Sequence, residues 1–296
     1  MAKLSFPFTW GSRTYIMGIL NVTPDSFSGD GILQQTDAVQ FAVEQARRFV
    51  KAGADVLDIG GESTRPGSQP VTSEQELERI LPVLHAIYKE GLEVLLSVDT
   101  YKAAVAEAVL ETAPVWINDI WGLRADPALA HVAARHKVPV ILMHNRLKPA
   151  TAELEARLGG RYVGVTYNNL LEDIKNELME SVNLARQAGI SDANIILDPG
   201  IGFGKTVEQN LELLNRLDEI RALGFPVLLG PSRKSFIGYT LDLPPDQRIE
   251  GTAAAVAVGI VRGADMIRIH DVEEIARVSR MTDAIVRKKQ ATQQEG

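Results

Sequence analysis

Two polar loops, each directly after a short apolar run, hold the residues of this sequence best suited to bind a polar ligand. The first extends from Met17 to Gly31 as MGILNVTPDSFSGDG, and the second from Asp58 to Gly67 as DIGGESTRPG. Both are much longer than the roughly two to five residues that an ordinary Gly/Pro/Asp turn needs. Glycine lets the backbone approach a ligand closely. We therefore expect both loops to line a binding site.

Three further side chains predict the hydrogen-bonding character of the ligand. Asp99, Asn118 and Asp198 each stand at the end of an apolar run and offer mainly acceptor oxygens. Such groups are costly when buried without partners. An aminopyrimidine edge, with its NH₂ and ring N–H donors beside a carbonyl acceptor, would satisfy them.

Opposite charge follows the last two apolar runs. Lys234, Arg268 and His270 are suited to hold an anionic leaving group. Asn21 and nearby acceptors could hold Mg²⁺ against phosphates, because Mg²⁺ takes few protein oxygens and keeps waters. The glycine-rich run from Asp198 to Lys205 lacks the Walker spacing of a phosphate loop. We expect its glycines instead to let Phe203 face an aromatic substrate.

The elements that must position these residues alternate from end to end. Continuous apolar strands without a polar face indicate parallel strands covered on both sides. About eight repeats of strand and helix predict a single-domain α/β protein with the (β/α)₈ TIM barrel fold, whose strand ends converge on one mouth. The alternative, an open doubly wound sheet, would require a G-x-G-x-x-G in the first strand-to-helix turn, which is missing. The predicted strands are 14–20, 55–59, 92–98, 115–117, 138–143, 194–197, 226–229 and 265–269. The predicted helices are 37–51, 73–90, 102–110, 126–135, 167–188, 206–223, 251–262 and 271–286.

The strand-end residues expected at the barrel mouth also include several without a more specific assignment. A lone strand-end Asp is often a helix N-cap, which is the role expected of Asp126 before Pro127. The remaining members are Asp58, Glu62, Asp119, Met143, His144, Ser232 and Arg233.

Composition excludes several classes of function. The chain has 296 residues, 45% of them hydrophobic, and a net charge of −7, which gives no basic footprint for nucleic acid or an anionic membrane. The absence of Cys excludes thiolate chemistry and agrees with a cytoplasmic location. Neither a signal peptide nor a membrane-spanning stretch is evident. We expect one barrel domain over residues 1–286 and a disordered tail over 287–296.

Several motifs together resemble dihydropteroate synthase of the folate pathway, in order and over about residues 14–272. The resemblance rests on NVTPDSF from Asn21, DIGGESTRPG from Asp58, SVDT from Ser97, IND from Ile117, DPGIGFGK from Asp198, GPSRKSF from Gly230 and RIHD from Arg268.

The resemblance implies a reaction. The amine of p-aminobenzoate would displace pyrophosphate from 6-hydroxymethyl-7,8-dihydropterin diphosphate to give 7,8-dihydropteroate, and sulfonamides would mimic p-aminobenzoate. Departure of the leaving group before attack would leave a cationic methylene, which fixed dipoles and carboxylates can stabilise. No activated nucleophile is then needed, in agreement with a chain that has no evident Ser–His pair.

Site roles implied by the resemblance fall into three sets. Asp99, Asn118, Asp198 and Lys234 would bind the pterin, with Arg268 stacked on it, and Lys234, Arg268 and Asp99 would be the catalytic residues. Asn21, Arg268 and His270 would hold the diphosphate, with Asn21 also holding Mg²⁺. The p-aminobenzoate would be framed by Thr64, Arg65, Pro66, Phe203 and Ser235, with Phe27 close by.

Two segments depart from the family pattern. The first loop continues as Ser28-Gly-Asp-Gly31, which displaces the usual Asp by one position, so Asp30 receives no role. After Met143-His144 the chain also departs, reading Asn145-Arg-Leu-Lys-Pro149, so no role is carried over from this loop. The whole stretch from His144 to Val165 is either a lid or a solvated excursion.

Two other functions compete with the synthase. A pterin-binding barrel of methyltetrahydrofolate-dependent methyltransferases would share the Asp/Asn/Asp pocket but would not need Thr64 and Arg65. A non-catalytic pterin-binding paralogue could lose Lys234, Arg268 or His270, and all three are present.

The apolar segment 251–262 is either buried on the barrel wall or part of an interface. This segment and the last amphipathic helix, together with the dimeric state usual in the family that the motifs resemble, predict a homodimer.

Overall fold

A computed structural model describes residues 8–23, 35–63, 68–146, 152–155, 157–162 and 166–287. Eight of its strands form one sheet: β1 (Tyr15–Asn21), β2 (Val56–Gly60), β3 (Leu95–Asp99), β4 (Val115–Asp119), β5 (Val140–Met143), β8 (Ile195–Asp198), β9 (Leu228–Leu229) and β10 (Met266–Ile269). They are parallel neighbours in the order β8-β5-β4-β3-β2-β1-β10-β9. A parallel bridge from Leu197 of β8 to Val227, next to β9, closes this sheet into a barrel.

Helices cover the outside of the barrel and follow the strands in turn, which confirms the predicted (β/α)₈ fold. Helix α2 begins with a capping box between Thr72 and Gln75 and ends at Gly91, which adopts the left-handed conformation. The helices are α1 (Gln35–Ala52), α2 (Ser73–Glu90), α3 (Ala103–Thr112), α4 (Ala128–His136), α5 (Leu170–Ala188), α6 (Val207–Asn215), α7 (Leu217–Arg221), α8 (Ser235–Leu241), α9 (Ile249–Val261) and α10 (Val272–Val286).

The helices of the structure differ from the prediction in three places. The helix expected over 206–223 is two helices, α6 and α7, separated at Arg216. Helix α8 was not predicted, because its seven residues are too few for a clear periodicity. Helix α9 is buried along one face only, and its Val258 and Val261 are exposed, so it is not covered all round by its own chain.

The long segment after β5 contains a hairpin that was not predicted. Strands β6 (Ala152–Glu155) and β7 (Gly159–Tyr162) pair antiparallel. The hairpin lies against α8, since Tyr239 Oη donates to the carbonyl of Gly159 at 3.3 Å. Arg248 also donates to the carbonyl of Leu158 at 2.8 Å. These contacts make this part of the segment a packed element of the fold.

Strand alternation divides the barrel interior into an apolar floor and a polar mouth. Buried side chains of the floor come from alternate positions of the strands: Met17, Val56, Trp116, Ile141, Ile196, Leu228 and Met266. Phe8 closes the amino-terminal end by stacking on Tyr15, with ring centroids 4.0 Å apart. Two residues further along β2, β4, β8 and β10, the inward positions become polar: Asp58, Asn118, Asp198 and Arg268. The fold thus confines polar chemistry to the carboxyl ends of the strands.

The described part of the chain ends next to this floor. Arg287, expected to begin a disordered tail, donates to the carbonyls of Gly11 and Ala264 at 2.9 and 2.7 Å. Residues 288–296 lie outside the described part of the chain. Among the described residues, no helix is long and apolar enough to cross a membrane.

Candidate active site

Four inward residues at the strand ends share one connected polar cluster inside the barrel mouth. Arg268 of β10 donates from Nε to Asp58 Oδ2 of β2 at 2.6 Å. Its terminal nitrogen donates to Asp99 Oδ2 of β3 at 2.8 Å. Asn118 of β4 donates to the same Asp58 oxygen at 2.9 Å. The barrel therefore brings together residues that are more than two hundred positions apart along the chain.

Burial and neighbouring charge shape the ionisation of this cluster. Burial, with the nearby Asp58 carboxylate, raises the pKa of Asp99 to about 7, although Arg268 opposes the shift. Burial alone would lower the pKa of Arg268, but Asp58 and Asp99 raise it. The guanidinium therefore stays charged while Asp99 titrates near neutral pH.

Asp198 extends the polar cluster on the other side of the mouth. Its Oδ1 accepts a hydrogen bond from the backbone N–H of Gly200 at 2.7 Å. Burial raises the pKa of Asp198 to about 6, against that hydrogen bond and the charges of Lys234 and Arg268. Asp99, Asn118 and Asp198 therefore surround the interior with acceptor oxygens, as the sequence predicted.

A second set of residues, after β9 and β10, is suited to an anion. Ser232 Oγ accepts from the backbone N–H of His270 at 3.2 Å and lies 3.0 Å from His270 Nδ1. The hydroxyl can therefore donate to Nδ1, which would leave Nε2 of a neutral imidazole as a donor. Loops after the seventh and eighth strands are the usual phosphate site of this barrel fold.

Lys234 and Phe203 meet at the edge of the same mouth. Lys234 Nζ lies 3.9 Å from the centroid of the Phe203 ring, a cation–π contact. Phe203 packs with Ile120 and Met143. Ser235 begins helix α8 directly after Lys234. The aromatic ring expected at the substrate is thus next to a cation and to the start of a short helix.

The donor set near Asn21 fits a metal held mostly by phosphate. Asn21 Oδ1 and Asp99 Oδ2 lie 3.6 and 3.9 Å from the point where a Cβ on Gly60 would stand. The described residues include no group of three or more His, Cys, Asp or Glu side chains that could hold a metal ion. One amide oxygen next to a carboxylate suits Mg²⁺ that takes its other ligands from substrate phosphates and water.

Two strand-end residues that we expected at the mouth do not face it. Asp119 accepts from the backbone N–H groups of Trp121 and Leu123 at 2.8 and 2.6 Å, so it stabilises a turn. The His144 side chain is fully buried beside Glu177 of α5, with Nε2 3.0 Å from Oε2. Each directly follows an inward residue, Asn118 or Met143. Strict alternation from those residues would have predicted an outward direction for both.

Other strand-end and loop residues have structural contacts. Glu62 pairs with Lys102 and accepts from Tyr101 Oη at 3.2 Å. Arg233 donates to Asp271 Oδ2 at 3.0 Å. Asp126 accepts from the backbone N–H of Ala128, the first residue of α4, at 3.0 Å, but the N-cap position that we predicted for it is occupied by Pro127. Asp126 also accepts from the N–H of Ala103 at the start of α3. Phe27, Thr64, Arg65 and Pro66 lie outside the described residues.

Sequence reasoning gave no specific role to Asp58 or Lys205. Asp58 is fully buried and joins Arg268 to Asn118, and its Oδ1 has no hydrogen-bond partner among the residues that the structure describes. Lys205 is buried next to His144, with Nζ 3.0 Å from Nδ1. An Asp on the inward face of a strand and a Lys in a glycine-rich loop were visible signals. Their partners, however, come from distant parts of the chain.

Comparison with known proteins gives one consistent result. The model of a family described as pterin binding enzyme matches residues 17–270. A dihydropteroate synthase of Clostridium beijerinckii is 50% identical over 282 residues, which cover 95% of this chain and 97% of the relative.

Solved structures agree with this. A Clostridium difficile dihydropteroate synthase, crystallised in the presence of pteroic acid, gives a TM-score of 0.85 at 45% identity, covering 95% of this chain and 100% of that one. A Xanthomonas albilineans dihydropteroate synthase with 4-aminobenzoic acid gives 0.83 at 37% identity, covering 94% and 95%.

Proposed function

The chain belongs to the dihydropteroate synthase family of pterin-binding enzymes, and we propose how its residues carry out the condensation of that family. It is a transferase of folate biosynthesis. The amine of p-aminobenzoate replaces pyrophosphate on 6-hydroxymethyl-7,8-dihydropterin diphosphate and gives 7,8-dihydropteroate. The related structures with pteroic acid and 4-aminobenzoic acid support these substrates.

The arrangement of Asp99, Asn118 and Asp198 around the barrel interior is the observation that carries the proposal. All three belong to strand ends, and Asn118 and Asp198 are buried. The amino group and ring N–H groups of a pterin would donate to the carboxylates, and the Asn118 amide can serve the adjacent carbonyl. Buried acceptors of this kind gain most from a ligand that fills every hydrogen bond.

Arg268 links the pterin to the departing group. Its guanidinium already lies 2.8 Å from Asp99 Oδ2, inside the proposed pterin pocket. The planar group can stack on a flat ring while keeping its charge. We assign it to the pterin face and to the phosphate nearest the reacting methylene.

The diphosphate would be held by Asn21, Arg268 and His270. Magnesium, when bound with the diphosphate, would neutralise charge that develops on the leaving oxygen. Asn21 would be the protein ligand of the metal. His270 would donate from Nε2, because Ser232 occupies Nδ1 at 3.0 Å.

Bond breaking would precede attack. Loss of pyrophosphate leaves a methylene cation conjugated to the pterin, and the ionised Asp99 and Asp198 stabilise positive charge on the ring. The amine of p-aminobenzoate then forms the C–N bond and loses a proton. This order asks for no activated Ser or Cys nucleophile, and the chain contains no Cys.

The p-aminobenzoate would lie at the outer edge of the mouth. Phe203 lies in the loop after β8 and Ser235 begins α8 directly after Lys234, whose Nζ lies over the Phe203 ring. Lys234 would serve pterin binding and catalysis. The family resemblance also assigns Thr64, Arg65, Pro66 and Phe27 to this subsite. Sulfonamides would bind in the same place.

We also propose a homodimer formed by α9 and α10. Val258 and Val261 of α9 are 42% and 58% exposed, and Met281 and Ile285 of α10 are 64% and 71% exposed. The two helices pack next to each other, so the exposed apolar side chains belong to neighbouring elements, which suits a shared interface. A cytoplasmic location is proposed as well, and the absence of Cys suits it.

A turnover assay tests the proposed function directly. Protein mixed with the pterin diphosphate, Mg²⁺ and p-aminobenzoate should release pyrophosphate and form 7,8-dihydropteroate in equal amounts. Pyrophosphate without dihydropteroate would mean hydrolysis, and no product of either kind would overturn the proposal. Arg268→Gln is the matched variant, because it keeps a hydrogen-bonding side chain but loses the charge near the leaving group.

A further inference from the structure

The loop from Gly200 to Lys205 wraps around a buried ammonium group. Lys205 Nζ lies 2.9 Å from the carbonyl oxygen of Gly200 and 3.0 Å from that of Phe203. It also lies 3.0 Å from His144 Nδ1. Lys205 is 2% exposed. The three N–H donors of an ammonium group thus have three acceptors, which offset part of the cost of burying the charge. Burial lowers the pKa of Lys205 to about 7, and the charges of Asp198 and Glu177 oppose that shift in favour of the cation.

His144 serves as an acceptor in this arrangement. Burial, with the charge of Lys205, lowers its pKa to about 3, so the imidazole is neutral. Since Nδ1 accepts from Lys205, Nε2 carries the proton and donates to Glu177 at 3.0 Å. Arg146 Nε in turn donates to Glu177 at 2.7 Å. A continuous polar chain therefore anchors the ammonium group to helix α5.

The glycines of the loop allow its carbonyls to turn toward the ammonium group. Gly200, Gly202 and Gly204 have φ values of +68°, +82° and +57°, in the left-handed region that favours glycine. A Cβ on Gly200 would lie 1.8 Å from the carbonyl oxygen of His144. The loop backbone is thus pressed against the segment after β5, and Lys205 lies at the centre of its curve.

This loop carries two groups of the proposed site. The backbone N–H of Gly200 donates to Asp198, and the Phe203 ring lies beneath Lys234. Lys205 binds the carbonyls of these same two loop residues. Its own donors are all engaged, so it does not contact substrate.

We propose that Lys205 is a positioning residue of the condensation, which holds the Phe203 ring where p-aminobenzoate binds. This inference rests on the proposed function. The ammonium group fixes the Phe203 carbonyl, and His144 fixes the ammonium group. Loss of the cation would leave the Phe203 carbonyl without its Lys205 donor and the Gly200 carbonyl with only the N–H of Phe203, and it would release the ring from its place.

Lys205→Met tests the inference, because it keeps the length of the side chain and removes every N–H. The KM for p-aminobenzoate should rise about tenfold, with a much smaller change in kcat. Lys205→Gln keeps two N–H donors without the charge and should lie between wild type and Lys205→Met. If Lys205→Met does not fold, Lys205→Gln alone should still show the rise in KM, and an unchanged KM in it would overturn the inference.

A double-mutant cycle separates positioning from general stability. If Lys205 acts through the aromatic ring, Lys205→Met or Lys205→Gln should add little to the KM of a Phe203→Ala protein. Full additivity would overturn the inference. Ile87→Ala, in the buried part of α2 at the opposite end of the barrel, is the control for lost stability. It should lower the melting temperature without raising the KM, and an equal rise in KM would also overturn the inference.

The wild-type assay distinguishes the two proposals. A wild-type protein without turnover would contradict the proposed function itself. An active wild-type protein whose Lys205 variants keep the p-aminobenzoate KM would contradict only the positioning role.

Discussion

Arg268 and Asp99 form an ion pair across the barrel interior, with 2.8 Å between the guanidinium nitrogen and Oδ2. They belong to β10 and β3, which are separated in the sheet by β1 and β2. A pterin that donates to Asp99 therefore has to share this carboxylate with the guanidinium. The pair couples pterin binding to the residue proposed to hold the leaving group.

Asp99→Asn should weaken pterin binding by about 2–4 kcal/mol, because an amide donor would then face donors of the ligand. Isothermal titration calorimetry with the pterin diphosphate measures this loss. Glu111→Gln, an exposed acid-to-amide change on α3, is the matched control and should bind like wild type. Equal affinity in Asp99→Asn and wild type would refute the assigned pocket.

The raised pKa values of Asp99 and Asp198, about 7 and about 6, should make stability depend on pH. In the unfolded chain both carboxyls ionise near the reference pKa of Asp, about 4. The folded state therefore binds more protons than the unfolded state above that pH. The stability that these two carboxyls contribute should therefore fall as pH rises from about 4 to about 7.

Urea denaturation of wild type and Asp99→Asn across pH 5–8 checks this sign. Because the amide does not titrate, the stability difference should shift in favour of the variant as pH rises. The variant also loses the ion pair between Asp99 and Arg268, which lowers its stability by a constant amount but does not reverse this trend with pH. A difference that is independent of pH would contradict the raised pKa of Asp99.

Pyrophosphate release should require Mg²⁺ and should fall in Asn21→Ala, because the metal would lose its protein ligand. Direct chromatographic measurement of the released pyrophosphate, with and without EDTA, measures both effects. Asn194→Ala, at the amino-terminal side of β8, is the control at the other end of the barrel. Undiminished turnover in EDTA would exclude the proposed metal.

The protein should be a dimer at micromolar concentration, and Val261→Glu should convert it to a monomer by placing a charge in the proposed interface. Light scattering coupled to size-exclusion chromatography gives the two masses. Tyr88→Glu, at an exposed aromatic position on α2, should leave the dimer intact. A monomeric wild-type mass would rule out the interface.

Binding should be ordered, with p-aminobenzoate binding well only in the presence of the pterin diphosphate or pyrophosphate with Mg²⁺. The sequence predicts that the first ligand meets the conformational cost of arranging the two glycine-rich loops, of which residues 24–31 and 64–67 lie outside the described part of the chain. Titration of p-aminobenzoate, and of a sulfonamide, with and without pyrophosphate and Mg²⁺ measures the effect. The same affinity under both conditions would argue for preformed loops.

The sequence alone determined the barrel and the position of its mouth. Eight apolar runs, each too uniform to have a solvent-facing side, could be satisfied only by parallel strands covered by helices. The motif residues at their ends then had to converge, because the carboxyl ends of barrel strands meet at one face. Local patterns of this kind survive folding, since each depends only on residues near it in the chain.

Only the tertiary structure decided which strand-end side chains enter the mouth and what they meet there. Asp119 and His144 point away from it, whereas Asp58 joins Arg268 from a strand that is not its neighbour. The packing of the hairpin against α8 likewise depends on distant partners. The same is true of the contact between Lys205 and His144. Such contacts are set by barrel closure and strand register, which no short segment of the chain encodes by itself.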